Sequence, residues 1–584
     1  MSRPGRVNFN STAFHDPQQE SMQGRLHPRK SEVKIDNAIS KVNQDTVFSL
    51  PELLDIIALY LTQEDLRMAI RVCSAWNALW VPKLYSSLQL NDYTRQRKYP
   101  NLWTYGEYVK DLRLTTTRWT DVLHLLGFIP NLQSFQHRYT YMSLTQLQEF
   151  TTRVPQLRSL SLSFACSEFS PSDCTLDAVA ALTNLEEISW EQPGCQVRID
   201  HLLALLKSCT RLRALSLTHI SFAEGLESTS DLVRVEDAGC VNTAFQSLKL
   251  MRLMLTDSFD QAQPCIHRFF QHVPNLINVS IGHQYLFSPS DWECIFKDRS
   301  NMQRVELYSF GSSYLLLPAD DVDGVQALTR SCPNLKVLVL KGTPTPDEGF
   351  EQLMRVNHCL ERVDVGHTKF GDLSLKELVR GPSSSALASG SRSSIHSLVE
   401  LDLRECSEIT SRSAALIFEN CEVLRYVNLF GTMAGTIDLF KGDKPWRCAN
   451  TLENLRISIH STKFEISQVM MTHNPYSLEE DRLIRERLRS LRSLVFLNLL
   501  GDALHLDLFN DCSFAPRLVQ VCMVIVTSTV GNLDVDDVDA EEKIATSAKA
   551  IFPGWLLMAQ RPFRGRFTID AKKPGHYFQY DCGR

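Results

Sequence analysis

Between residues 109 and 523 the chain repeats one arrangement of apolar positions, L-x-x-L-x-L, with Ile, Val, Met or an aromatic residue replacing some leucines. Copies begin at Val109, Leu132, Leu157, Leu185, Leu212, Leu250, Leu276, Met302, Leu335, Leu360, Leu398, Leu424, Leu452, Leu494 and Leu518. Starts such as Leu132, Leu157 and Leu185 lie 25 and 28 residues apart. Within each copy the alternation describes a short strand with one buried face. The copy at 398–430 is the clearest. Leu401 and Leu403 alternate with polar residues, Cys406 holds the ninth position, Ile409 packs beneath, and Ala414 to Phe418 carry a return helix. Thr140, Thr343, Thr368 and Thr432 hold the ninth position elsewhere, where a hydroxyl can bond neighbouring backbone. Cys209, Cys332 and Cys421 each precede a strand by three residues. One such unit cannot bury its own apolar face, whereas a stack of them can. A purely helical solenoid would explain the segments between copies but not the alternation in VELDL, RYVNL and KVLVL.

A different pattern occupies residues 47–90 and predicts three short helices. Pro51 suits a first helical turn, and Leu53, Leu54, Ile57 and Leu61 follow at helical spacing. Thr62 with Asp65 reads as a cap for the second helix, which carries Leu66, Ala69 and Ile70. A third helix runs from Ser74 through Trp76, Leu79 and Trp80 and is expected to stop at Pro82. About forty residues in short helices bury little surface, so Leu53, Ile57 and Trp76 are expected to pack on the rest of the chain or on a partner.

The remaining segments frame these two patterns. Residues 1–46 are polar, and disorder is expected there; Pro28-Arg29-Lys30 reads as part of a solvated tail. Leu84 to Leu90 reads as extended, and residues 91–108 as a connection. Insertions lengthen the array near 221–244, 381–397 and 461–493; the last carries Leu483, Ile484, Leu488 and Leu491 on one helical face. Residues 532–584 open with LDVDDVDAEE, which lacks the glycine and final glutamate of a calcium loop, and are expected to form an acidic turn and a capping segment. Within that segment 541–552 read as helical and RFTID as a last irregular strand.

Composition narrows the function classes. The 584 residues carry a net charge of −6 and no long Lys/Arg block, so nucleic acid is not expected as a partner. No run of eighteen apolar residues and no signal peptide is evident, so no membrane contact is expected. The 16 cysteines contain no C-x-x-C pair and fit a reducing cytoplasmic or nuclear compartment as small buried apolar groups. P-loop, G-x-G-x-x-G, H-E-x-x-H and G-x-S-x-G motifs are absent, and His267 and His272 do not share a helical face. No cofactor, metal or catalytic residue is expected.

Leu50-Pro51-Glu52-Leu53-Leu54, with Ile57, Asp65-Leu66, Val72-Cys73 and Trp76, resembles the F-box motif; Glu52 follows Pro51 directly, where the motif often has an intervening residue. The repeats resemble the cysteine-containing class of leucine-rich repeat, which often follows an F-box. The resemblance implies an α/β solenoid: a three-helix F-box at 47–90, then a curved right-handed array over 91–531 with parallel strands on its concave face. It also implies a non-catalytic receptor that holds a Skp-type adaptor of a cullin-based ubiquitin ligase through the helices and an unknown target protein through the repeats. A leucine-rich-repeat scaffold with no part in ubiquitin transfer is the alternative. Pro51, Leu53, Leu54, Ile57, Leu66, Val72 and Trp76 are the expected adaptor contacts, and burial is expected for Cys73. Third, fifth and seventh positions of each copy should face outward from the strands. This nominates Arg304, Tyr308, Lys341, Arg362, Asp364, Asp402, Arg404, Tyr426 and Phe430 as target contacts, in preference to Ser161, Ser163, Ser189 and Ser216. On the same register, Asp402→Ala should cost within about 0.5 kcal/mol.

Overall fold

The computed structural model describes residues 51–90, 104–115, 118–140, 142–164, 174–223, 247–255, 259–283, 289–309, 322–343, 345–380, 397–442, 444–459, 478–501, 517–526, 546, 549, 556–563 and 566–572. The expectations for 1–46, for most of the insertions near 221–244 and 381–397, and for the acidic segment after 532 fall outside them. The chain divides into two compact units, Met1–Leu84 and Tyr85–Arg584.

In the first unit, α1 spans Pro51–Tyr60, α2 Gln63–Ala69 and α3 Ser74–Leu84. Thr62 Oγ1 accepts from the Asp65 N–H (3.2 Å) and Asp65 Oδ2 accepts from the Thr62 N–H (2.9 Å), a reciprocal capping box. These bonds hold the Asp65 carboxyl below its ordinary pKa. Pro82 does not stop α3, which continues to Leu84. Proline removes only the N–H that would reach the Ala78 carbonyl, and Ala78 is exposed, so water can satisfy that oxygen. The helical unit therefore ends at Leu84, and residues 85–90 belong to the second unit.

The second unit is a leucine-rich-repeat α/β solenoid. Its strands are β1 Ser87–Leu90, β2 Asp111–Thr115, β3 Ser134–Thr140, β4 Ser159–Phe164, β5 Glu187–Arg198, β6 Ala214–Ala223, β7 Leu250–Leu255, β8 Asn278–His283 and β9 Arg304–Ser309. They continue as β10 Val337–Lys341, β11 Arg362–Asp364, β12 Glu400–Asp402, β13 Tyr426–Leu429, β14 Asn454–Ile459, β15 Phe496–Gly501, β16 Gln520–Val526, β17 Leu556–Phe563 and β18 Arg566–Lys572. From β1 to β16 each strand pairs in parallel with the next. A hairpin ends the sheet, with β18 antiparallel to both β16 and β17. RFTID thus lies in β18, as an antiparallel strand whose hairpin partner β17 had no sequence counterpart.

Register explains two departures from the sequence pattern. Leu88 pairs with Leu112 and Leu90 with Leu114, so a copy led by Tyr85 precedes the one led by Val109. Leu250 pairs with Ala214, which makes Leu248 rather than Leu250 the leading residue of its copy. Leu248 is fully buried and Leu250 is 38% exposed. The L-x-x-L-x-L template fits both registers there, because Leu253 and Leu255 follow Leu250 at the same spacing as Met251 and Leu253 follow Leu248.

Leu401, Leu403 and Cys406 are fully buried in one apolar core that runs from Leu90 to Val521. Threonine at the ninth position closes its own turn, with Thr368 Oγ1 donating to the Val365 carbonyl (2.7 Å) and Thr432 Oγ1 to the Leu429 carbonyl (2.9 Å), whereas Cys406 Sγ reaches across to the Val365 carbonyl of the preceding repeat (3.2 Å). The residue before it takes positive φ, as at Gly342 (68°), His367 (61°), Glu405 (57°) and Gly431 (72°). Glycine adopts that conformation freely, whereas His367 and Glu405 are held there by ladder bonds from their N–H groups to the Arg404 and Phe430 carbonyls (both 2.7 Å). Burial pushes the Cys332, Cys406 and Cys421 thiols up to about 12, as expected for cysteines acting as small apolar groups. On the helical side, the Asp347 carboxylate reaches the start of the next repeat's helix, Asp372–Arg380, and accepts from the N–H groups of Gly371 (2.8 Å), Leu373 (2.9 Å) and Ser374 (3.2 Å). The helix Leu478–Ser490 buries Ile484 and Leu488, with Leu491 just beyond its end.

Candidate functional site

Two surfaces stand out, one in each unit. On α1, Leu53, Ile56, Ile57 and Tyr60 fall at i, i+3, i+4 and i+7 and form a continuous exposed stripe; Ile56 is 53% and Tyr60 85% exposed. Met68 and Val72 are also exposed. A contiguous exposed apolar stripe on a small helical unit has the character of a contact surface.

The same geometry corrects part of the expected adaptor set. Leu54 and Leu66 are buried, and the Leu54 carbonyl accepts from Trp80 Nε1 (3.4 Å), so both hold the unit together instead of facing outward. Trp76 is half-buried with its ring 4.6 Å from that of Trp80. Leu53, Ile57 and Val72 are exposed as an outward contact requires; Pro51 opens α1, and its side chain lies outside the described residues. Ile56 and Tyr60 escaped the sequence reading because α1 carries two adjacent apolar stripes, and spacing alone does not say which is inside. Cys73 is exposed, contrary to expectation. Its Sγ lies 3.5 Å from the Trp76 N–H and accepts from it, so Cys73 stands at the N-cap of α3, where solvent access is normal.

In the second unit, a cavity of about 700 Å³ opens on the strand face across β10 to β15. It brings together Lys341, Arg362, Asp364, Asp402, Arg404 and Tyr426; Arg304, Tyr308 and Phe430 do not line it. Asn454, Arg456 and Phe496 complete its wall. The sequence reading stopped at the Leu424 copy; the third and fifth positions of the Leu452 and Leu494 copies would have supplied all three.

Parallel register builds this site. Asp364, Asp402, Asn428 and Arg456 are neighbours along one row, and Arg362, Glu400, Tyr426, Asn454 and Phe496 along the next. Adjacent rows cover each other, so an outward direction does not guarantee exposure. Glu306, Asp364, Asp402 and Asn428 are buried. Asp364 and Asp402 are therefore the floor of the cavity and not projecting contacts, and the expected tolerance of Asp402→Ala does not hold. Asp402 Oδ2 accepts from Asn428 Nδ2 (3.0 Å) and the Tyr426 hydroxyl (3.2 Å), and Oδ1 accepts from the Arg404 N–H (3.1 Å).

Most charges in the cavity are matched. Lys341 Nζ lies 2.9 Å from Asp364 Oδ2, Arg362 Nε 3.3 Å from Glu400 Oε2, and Arg425 Nη1 3.7 Å from Glu453 Oε1. Burial and the nearby Asp402 charge raise the Asp364 pKa, opposed by Lys341 and Arg362. Burial raises the Tyr426 hydroxyl as well, and that of Tyr308 to about 12. Arg456 stands between two rings, its guanidinium carbon 5.7 Å from the Tyr426 centroid and 5.1 Å from that of Phe496. Among the described residues neither Arg404 nor Arg456 has a carboxylate partner, and the Nε of each is buried without an acceptor. Outside the cavity, Arg304 Nε donates to Glu306 Oε1 (2.8 Å), and the Phe430 N–H donates to Asn428 Oδ1 (3.1 Å). Ser161, Ser163, Ser189 and Ser216 are half-buried.

Among the described residues no group of three His, Cys, Asp or Glu side chains is placed to hold a metal ion, and no helix is long and apolar enough to cross a membrane. His267 pairs with buried Asp291 at 2.6 Å.

No protein-family model matches the chain, and no curated protein matches it. Among solved structures it is similar to the Rad7 and Elc1 complex of yeast at 16% identity, with 75% of this chain and 94% of that chain covered and a TM-score of 0.37. A leucine-rich-repeat protein of Leptospira interrogans is 13% identical, with 74% and 99% covered and a TM-score of 0.35. Both likenesses are distant, and the leucine-rich-repeat fold rests on the strand register itself.

Proposed function

We propose that the protein is a non-catalytic substrate receptor of an SCF-type ubiquitin ligase. In this reading α1 to α3 hold a Skp-type adaptor, the strand face of the solenoid holds a target protein, and the ligase brings a ubiquitin-charged enzyme near target lysines. The receptor then contributes proximity and orientation rather than bond chemistry. Cytoplasm or nucleus is where it would act. The observation that carries the reading is the exposed stripe Leu53, Ile56, Ile57 and Tyr60, because it lies on the helices whose residue pattern resembles an F-box.

Interface anchors of this kind contribute roughly 2 kcal/mol each, so Leu53→Ala with Ile57→Ala should weaken adaptor binding about a thousandfold. Both side chains are partly exposed, so the double variant should fold. The test is co-purification with a Skp-type adaptor, with circular dichroism as the control for folding. Leu54→Ala, at a buried position, should instead unfold the helical unit. Undiminished adaptor binding by a folded double variant would refute the stripe as the adaptor contact, and failure of the unmodified protein to bind any Skp-type adaptor would leave the interaction-scaffold reading.

A further inference from the structure

We infer that the cavity across β10 to β15 recognises an Asp or Glu carboxylate on an extended segment of the target protein. The inference rests on the target-binding role proposed for the strand face and names what that face reads.

Unmatched atoms carry it. Pairing Lys341 with Asp364, Arg362 with Glu400 and Arg425 with Glu453 leaves Arg404 and Arg456 without anions. The remaining carboxylate, Asp402, is already occupied by Asn428, Tyr426 and the Arg404 N–H. Cationic side chains thus exceed carboxylates by one in this cavity, although the whole chain is net negative. One carboxylate neutralises that excess; a dianionic phosphate would overshoot it beside four resident carboxylates. Arg456 is also held between Tyr426 and Phe496, so its guanidinium gives up little freedom on binding.

Two buried acceptors fix the form of the ligand. Asp364 Oδ1 and Asn454 Oδ1 have no hydrogen-bond donor, and both residues are more than nine-tenths buried. Peptide N–H groups are the donors a protein segment offers. From β11 to β14 the sheet advances three strands, about 14 Å, which an extended peptide crosses in about four residues. A peptide with one acidic side chain therefore meets both kinds of unmatched atom, acceptors through its backbone and guanidinium groups through its carboxylate.

The test uses the full-length protein and a library of eight-residue peptides, acetylated and amidated to remove terminal charge, each with one position fixed as Glu, Asp, Gln or phosphoserine. Glu or Asp peptides should be preferred over Gln peptides by roughly tenfold, and the preference should weaken with salt. Arg456→Gln and Arg404→Gln, checked for folding by circular dichroism, should each reduce it, while Arg138→Gln at the exposed end of β3 should not. Equal binding of Glu and Gln peptides, a preference for phosphoserine over Glu, or a preference that survives both arginine changes would each overturn the inference. Adaptor co-purification on the same proteins keeps the two readings apart. An acidic preference without adaptor binding would refute only the ligase role, and adaptor binding without an acidic preference would refute only this inference.

Discussion

Asp402 is the residue on which an outward-facing strand position and a buried hydrogen-bond hub make opposite predictions. Replacing it with alanine removes the acceptor of three donors. Asn428 is 1% exposed, so its amide would lose a partner with no water to replace it, at a cost of about 1–3 kcal/mol. Tyr426 and Arg404 are half-buried, so their hydroxyl and N–H regain part of the loss from solvent. An opposing effect comes from Asp364, whose ionisation the Asp402 charge disfavours; removing that charge returns some stability. The balance is a destabilisation of about 3 kcal/mol, with Asp402→Asn smaller because one acceptor oxygen remains. Solenoid stability is a sum of repeat and interface contributions, so the effect should be concentrated locally. Hydrogen exchange read by mass spectrometry on peptides covering β11 to β13 should accelerate roughly a hundredfold, while β3 to β5 remain unchanged. Ser161→Ala is the control, with an expected effect within about 0.5 kcal/mol. Exchange in β11 to β13 within about twofold of the unmodified protein in Asp402→Ala would refute the buried-hub account.

Two further outcomes follow from the same structure. Asp347→Ala should lower stability by about 2–4 kcal/mol in urea denaturation, because three N–H groups at the start of the helix Asp372–Arg380 lose their charged acceptor; a change within about 0.5 kcal/mol would show that water caps that helix equally well. Asp364, with its pKa raised by folding, favours the native state below the ordinary carboxyl pKa of about 3.9 and loses that contribution as pH rises through the raised folded value, so the stability of the unmodified protein relative to Asp364→Asn should fall from about pH 4 towards neutrality, and a pH-independent difference would contradict the shift.

The sequence by itself determined the repeating unit. Alternate apolar positions such as Leu401 and Leu403 can be buried only if a strand faces a core, and Thr at the ninth position supplies the local bond that ends the strand. It determined the capping box at Thr62 and Asp65 for the same reason: both partners lie within one turn. Where two registers satisfied the pattern equally, as at Leu248 and Leu250, or where an aromatic residue led the copy, as at Tyr85, local spacing had no means of choosing. Tertiary structure decided what local sequence does not contain. Packing of α3 on α1 put Leu54 inside and left Leu53, Ile56 and Ile57 outside, although all four are apolar neighbours on one helix. Strand stacking set Asp402 beside Asn428, 26 residues away, and Arg456 between Tyr426 and Phe496, so that side chains pointing the same way became floor, wall or free charge according to what stood in the adjacent rows. Direction is a property of the strand, whereas exposure depends on neighbours that only the stacked repeats bring together.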